Sequence, residues 1–95
     1  SGQKVEFEGS LVILGDVNDG AEVIAGENII VLGDLRGLAH AGAKGNKEAI
    51  IAASSIEAPQ LRISNIIKER EREEILESTQ KTYAYVDADG KMELE

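Results

Sequence analysis

The chain has 95 residues, 42% of them apolar, which is about one domain; with only three aromatic rings (Phe7, Tyr83, Tyr85) and no tryptophan, its core must be thin and filled by Val, Ile, Leu and Ala. The absence of cysteine excludes disulfides and thiolate metal sites, and no apolar run approaches the ~18 residues needed to cross a bilayer. A net charge of −8 repels phosphate backbones and anionic headgroups, so neither nucleic acid nor direct membrane binding is expected.

From the first residues onward the apolar positions recur by sixes. Val5, Leu11, Val17, Val23, Ile29, Leu35 and Ala41 form one row, and Phe7, Ile13, Asp19, Ala25, Val31, Gly37 and Ala43 a second. Small residues dominate a third row, from Gly9 and Gly15 through Gly33 to Gly45. The segment L-V-I-L-G-D-V (residues 11–17) returns as I-I-V-L-G-D-L (residues 29–35), an offset of 18. Six does not match the 3.6-residue stripe of a helix. It suits a short strand, whose residues i and i+2 face one way, followed by a corner eased by a small residue. Three such strands make one coil of about 18 residues, with Leu11 under Ile29 and Ile13 under Val31 in a parallel sheet. The expected fold is all-β, a short triangular parallel β-helix. An antiparallel sandwich would also show strands and glycines but would not require the fixed phase. Asp19 breaks the inward row, and a bulge or widened corner is expected to turn it outward.

Further along, residues 48–53 and 61–63 read as strands, with Pro59 at a corner because it has no N–H to donate. Ser64 reads as the cap of a segment over residues 65–77 that is either helical or frayed, inside a charged, solvated excursion spanning residues 64–80. Residues 81–86 and 91–95 flank D-A-D-G and form a terminal hairpin that covers an end of the solenoid or adds to a face.

Candidate chemistry is sparse. His40, the single histidine, has no hydroxyl or carboxylate placed beside it by the pattern, so a structural role outweighs that of a general base. Lys44 and Lys47 lie among Gly37, Gly42 and Gly45, but the spacing is not that of a phosphate loop. D-V-N-D-G (residues 16–20) lacks the spaced acids of a calcium loop. No catalytic constellation, metal site or cofactor is expected; the flat outer walls suit protein partners.

The stretch G-A-E-V-I-A-G-E-N-I-I-V-L-G-D-L-R-G-L-A-H-A-G-A-K-G-N-K-E-A-I-I (residues 20–51) resembles the C-terminal domain family of the bacterial septum-site determining protein MinC. Ser1, Gly2 and Gln3 resemble the end of that family's R-S-G-Q motif, and A-Y-V-D-A-D-G-K-M-E-L its closing hairpin. The resemblance covers residues 1–95 except the charged segment around residues 68–80. It implies a right-handed β-helix that forms a homodimer through one face, binds the ATP-loaded ATPase MinD at the membrane and contributes to contact with the tubulin-like FtsZ. Direct inhibition would reside largely in an N-terminal domain absent from this chain, which opens at Ser1 without a methionine as a fragment would. The location implied is cytoplasmic, at the inner face of the membrane through MinD. The MinD motif maps onto Ser1, Gly2 and Gln3, with Asp16, Asn18 and Asp19 as neighbouring turn residues and Arg36 as a further contact; Gly37, His40 and Gly42 match a mainly structural block. The competing readings are a hexapeptide-repeat acyltransferase using His40 and the structural cap of a larger solenoid. A trimer would favour the first, a partnerless monomer the second.

Overall fold

Side chains two apart on a short strand enter the same interior, and the corner that follows brings the next strand onto another wall of the prism. The structure, a computed structural model, describes residues 2–95. The elements run β1 (Lys4–Phe7), β2 (Leu11–Leu14), β3 (Glu22–Ala25), β4 (Ile29–Leu35), β5 (Leu38–Ala41), β6 (Ile51–Ile56), β7 (Gln60–Ile63), β8 (Ile66–Glu69), α1 (Arg72–Glu77), β9 (Tyr83–Val86) and β10 (Met92–Leu94). One wall has the strand order β1-β3-β5-β7-β8 and a second the order β10-β9-β6-β4-β2. A narrower third wall is made where Val17 bridges Leu35 and the end of β4 pairs with β6 at Asp34↔Ser55 and Leu35↔Ile56.

The chain is thus a parallel β-helix. Leu11 lies beside Ile29 and Ile13 beside Val31, at the 18-residue offset read from the repeat, and β1 pairs with β3 at the same offset. Val23, Ala25, Ile29, Val31, Leu35, Ala39, Ala41, Ile51, Ile56, Leu61 and Ile63 fill the column. Side chains of this size suit its width. A polar ladder reinforces one corner: Asn28 donates to Ser10 Oγ through its amide (3.1 Å) and Nδ2 (3.2 Å), and its Oδ1 accepts from the Ile50 amide at 2.9 Å. Three successive coils are therefore joined by one side chain.

The even repeat does not persist as far as the hexads suggested. Val23 pairs with Ala39 and Ile24 with His40, an offset of 16, whereas β4–β6 begins at Ile29↔Ile51 and β5–β7 at Ala39↔Leu61, offsets of 22. Between Val17 and Val23 the chain holds two more residues than between their partners Leu35 and Ala39. That longer corner carries Asp19 outward, where it is exposed, as expected of a widened corner. The strand foreseen at residues 48–53 starts and ends later, at Ile51–Ile56. Pro59 does sit at the corner before β7.

The expected helix over residues 65–77 is mostly something else. Ser64 has φ 57° and is buried rather than capping a helix, and β8 folds back antiparallel on β7 with Ile63 opposite Ile66. The edge of the last coil supplies a row of backbone partners, which a locally marginal, charge-alternating segment takes up in preference to helix. Only residues 72–77 are helical, with Glu71 as N-cap in a reciprocal capping box with Glu74. The terminal hairpin forms as expected: Gly90, at φ 82°, completes its turn, and β9 adds antiparallel to β6, with Ala84 opposite Ile51. Both large walls are thereby closed by antiparallel strands at one end. At the other, β1 and β2 are edge strands and Phe7 is 55% exposed.

Candidate partner-binding edge

The corner between the third wall and the β1 wall gathers most of the residues singled out in the sequence. Its geometry begins with Gly37. A Cβ there would run into the carbonyl oxygens of Ala21 and Asn18, so only glycine lets the second coil seat under the wider corner of the first. The Arg36 and Gly37 amides both donate to the Val17 carbonyl, at 2.8 and 3.1 Å. This directs the Arg36 side chain along the third wall. There Nη2 meets Asp34 Oδ2 at 2.8 Å, Nε meets Glu57 Oε1 at 3.3 Å, and Nη1 lies 4.0 Å from Asp16 Oδ2 and 3.5 Å from Asn18 Oδ1. Asp16 also accepts from the Asp34 amide at 2.8 Å. Arg36 is therefore surrounded by three carboxylates, one from each of three stacked corners. At 37% side-chain exposure the cluster remains in contact with solvent, so it orders the corner more than it adds stability.

Gly2 and Gln3 join this corner from the first coil. The Gln3 carbonyl accepts from the Glu22 amide at 2.8 Å, and Gly2 lies so near the Gly20 carbonyl that a Cβ would collide with it. Ser1 lies outside the described residues. Beside Gly2 and Gln3, a hollow of about 250 Å³ is lined by Asp19, Gly20, Ala21, Glu22, Arg36 and Leu38, among others. Asp19 and Arg36 also line a second hollow of about 310 Å³, whose opposite side is formed by Arg72, Ile75 and Leu76 of α1. The structure thus brings Gly2, Gln3, Asp19 and Arg36 along one edge, while Asp16 and Asn18 hold Arg36 from the side.

Sequence reasoning missed Asp34, Glu57 and the α1 residues. Asp34 had a signal, since it repeats Asp16 at an offset of 18. Glu57 had none, because the later coil is longer and shifts it out of phase. His40 stands elsewhere, on the outside of β5: its Nε2 lies 2.9 Å from the Ser64 carbonyl, which also accepts from Arg62 Nε at 3.0 Å. A carbonyl can only accept, so the Nε2 proton is committed to it. Lys44 pairs with Glu8 at 3.2 Å. Among the described residues, no group of three His, Cys, Asp or Glu side chains is placed to hold a metal, and no helix is long and apolar enough to cross a membrane.

A second surface stands apart from this edge. On the outside of the β2 wall, Val12, Ile30, Ala52 and Tyr83 lie in one row across four strands, with Leu14 beside Leu32 in the next. Leu14 is 82% exposed and Leu32 57%, which makes this an unpartnered apolar face.

Comparison with known proteins agrees with the architecture. The family model described as "Septum formation inhibitor MinC, C-terminal domain" matches residues 1–95. The chain is similar to the septum site-determining protein MinC of Bacillus subtilis (strain 168), with 46% identity over 95 residues, covering all of this chain and 42% of that protein. It is 61% identical over 67 residues to the probable septum site-determining protein MinC of Geobacillus thermodenitrificans, covering 70% of this chain and 30% of that one. Among solved structures, a chain of the MinC:MinD cell division protein complex of Aquifex aeolicus superposes with a TM-score of 0.88 at 38% identity, covering 98% of this chain and 75% of that one. The chain spans 42% or less of the length of these two curated relatives. With the family model matched from residue 1 to residue 95, the chain belongs to the family of the septum formation inhibitor MinC, C-terminal domain.

Proposed function

We propose that this chain is the dimerisation and partner-binding domain of a cell division inhibitor, without enzymatic activity of its own. In this reading it docks on ATP-loaded MinD through Ser1, Gly2 and Gln3, together with Asp19 and Arg36, which share an edge with Gly2 and Gln3. It pairs with a second copy through the apolar face of the β2 wall. It is held at the inner face of the membrane by MinD and helps direct the inhibitor to FtsZ. The observation that carries the reading is the convergence of Gln3 and Asp19 on the same corner: the Gln3 carbonyl accepts from the Glu22 amide, and Glu22 shares a hollow with Asp19 and Arg36. A similar chain in a complex with MinD supports the choice of partner. A net charge of −8 favours recruitment through another protein over direct contact with anionic lipid.

Co-sedimentation with MinD and lipid vesicles tests it. The chain is expected in the pellet with ATP and in the supernatant with ADP, and Gln3→Lys is expected to lower recovery by about tenfold or more, the size of effect of a central contact residue. Equal recovery of Gln3→Lys would remove Gln3 from the site. Equal recovery with ADP would remove the nucleotide dependence.

A further inference from the structure

Six residues are too few to form a stable helix alone, and helices are ordinarily held by a buried apolar face. In α1, Ile75 is half-buried and the other five residues are exposed, Leu76 by 70%. The helix is instead held at its ends. On the leading side, the Arg70 amide donates to the Pro59 carbonyl at 2.8 Å, and its buried guanidinium donates from Nη1 to the Ile56 carbonyl at 2.9 Å. On the trailing side, Gln80 Nε2 donates to the Ser54 carbonyl at 2.6 Å and the Ile56 amide to the Lys81 carbonyl at 2.7 Å. Residues 71–79 are therefore a strap tied at both ends to the third wall.

A single exposed leucine carries little meaning by itself. Leu76, however, shares the 310 Å³ hollow with Asp19 and Arg36, the residues that also line the hollow beside Gly20 and Glu22, where Gly2 and Gln3 rest. One continuous surface leads from Gln3 to Leu76. Five carboxylates along it (Asp16, Asp19, Glu22, Asp34 and Glu57) outnumber two arginines, Arg36 and Arg72, of which Arg36 is already paired with Asp34 and Glu57.

We infer that the strap extends the MinD-binding edge: Leu76 and Arg72 form the far side of a groove that takes one apolar side chain of MinD flanked by basic groups. The inference rests on the reading of the Gln3 edge given above. The apolar tip would pack between Ile75, Leu76 and Pro59, and the excess of carboxylates would favour the basic flank. The strap would then act as a specificity element, because its sequence can change without disturbing the coils.

Binding of purified MinD with ATP to the unsubstituted chain, Gln3→Lys, Leu76→Ser, Leu76→Met and Ile67→Ser, measured as dissociation constants, tests the inference. Leu76→Ser is expected to weaken binding about tenfold. Leu76→Met and Ile67→Ser, the latter an equally simple change on the β1 wall, are expected to bind as the unsubstituted chain does. Leu76 is solvated, so its loss should leave the urea midpoint unchanged. Loss of binding by Gln3→Lys with full binding by Leu76→Ser would overturn the groove and leave the edge standing. Weakening by Ile67→Ser equal to that of Leu76→Ser would also overturn it. Failure of the unsubstituted chain to bind would overturn both.

Discussion

At the scale of single residues the fold turns on where the backbone can pass itself. Gly37 is buried, and its missing Cβ leaves room for the carbonyls of Ala21 and Asn18. Two amides on one Val17 carbonyl depend on that approach. Gly37→Ala is therefore expected to lower stability by roughly 2–3 kcal/mol, near the upper end of ordinary point changes because backbone atoms must move; urea unfolding with unchanged slope measures it. No comparable loss is expected from Arg36→Ala, since its carboxylate partners are solvated and such pairs contribute ~1 kcal/mol or less. His40 illustrates the same scale from the other side. Its Nε2 is used by the Ser64 carbonyl, so the one histidine that suggested acyl transfer has a structural task, and the family to which the chain belongs carries the name of a septum formation inhibitor.

At the scale of elements, the ends of the coils decide more than the coils themselves. Parallel strands leave open edges, and here β8 and the β9–β10 hairpin close two of them. The hairpin depends on its turn. Asp87 Oδ1 accepts from the amides of Asp89 (2.9 Å) and Lys91 (3.0 Å). The bond from the Lys91 amide, with that from the Asp89 amide beside it, holds the Asp87 carboxyl below its ordinary value of 3.8. Folding thus favours the ionised form. That contribution is complete above the ordinary value and disappears as pH falls through the depressed folded value. Asp87→Asn should lower the urea midpoint at neutral pH, and the two proteins should converge in acid. A gap that stayed constant down to pH ~2 would show that the charge of Asp87 plays no part.

At the scale of the whole molecule, a domain of fewer than a hundred residues leaves a large share of its surface exposed. A second copy laid on the row Val12, Ile30, Ala52 and Tyr83, with Leu14 and Leu32 alongside, would cover a contiguous apolar stretch of its exterior. A two-fold axis makes one such face sufficient. In the proposed dimer Leu32→Asp would place two charges near that axis, so the mass in solution should fall from twice the chain mass to once. Analytical ultracentrifugation reads the change, and a dimer that survived it would move the interface elsewhere. The partner edge lies on a different corner, so a dimer would present two copies of it at once and gain from a partner displayed at high density on a membrane.

The missing N–H of Pro59 marked a corner and the turn signal D-A-D-G the closing hairpin, while the six-residue rhythm by itself determined the β-helix and the stacking of Leu11 on Ile29 and of Ile13 on Val31. These were legible because in a solenoid each side chain's neighbour is its counterpart one coil away, so packing writes itself as a period. The resemblance carried by residues 20–51 indicated the family. Only the tertiary structure decided the lengths of the corners, the shift from 18 to 16 and then 22 residues per coil, the pairing of β8 where a helix was expected, and the meeting of Gln3, Asp19, Arg36 and Leu76 on one edge. Those features depend on how closely distant backbone segments approach and on which open edge needs a partner. Neither quantity has a period, so neither leaves a trace in residue spacing.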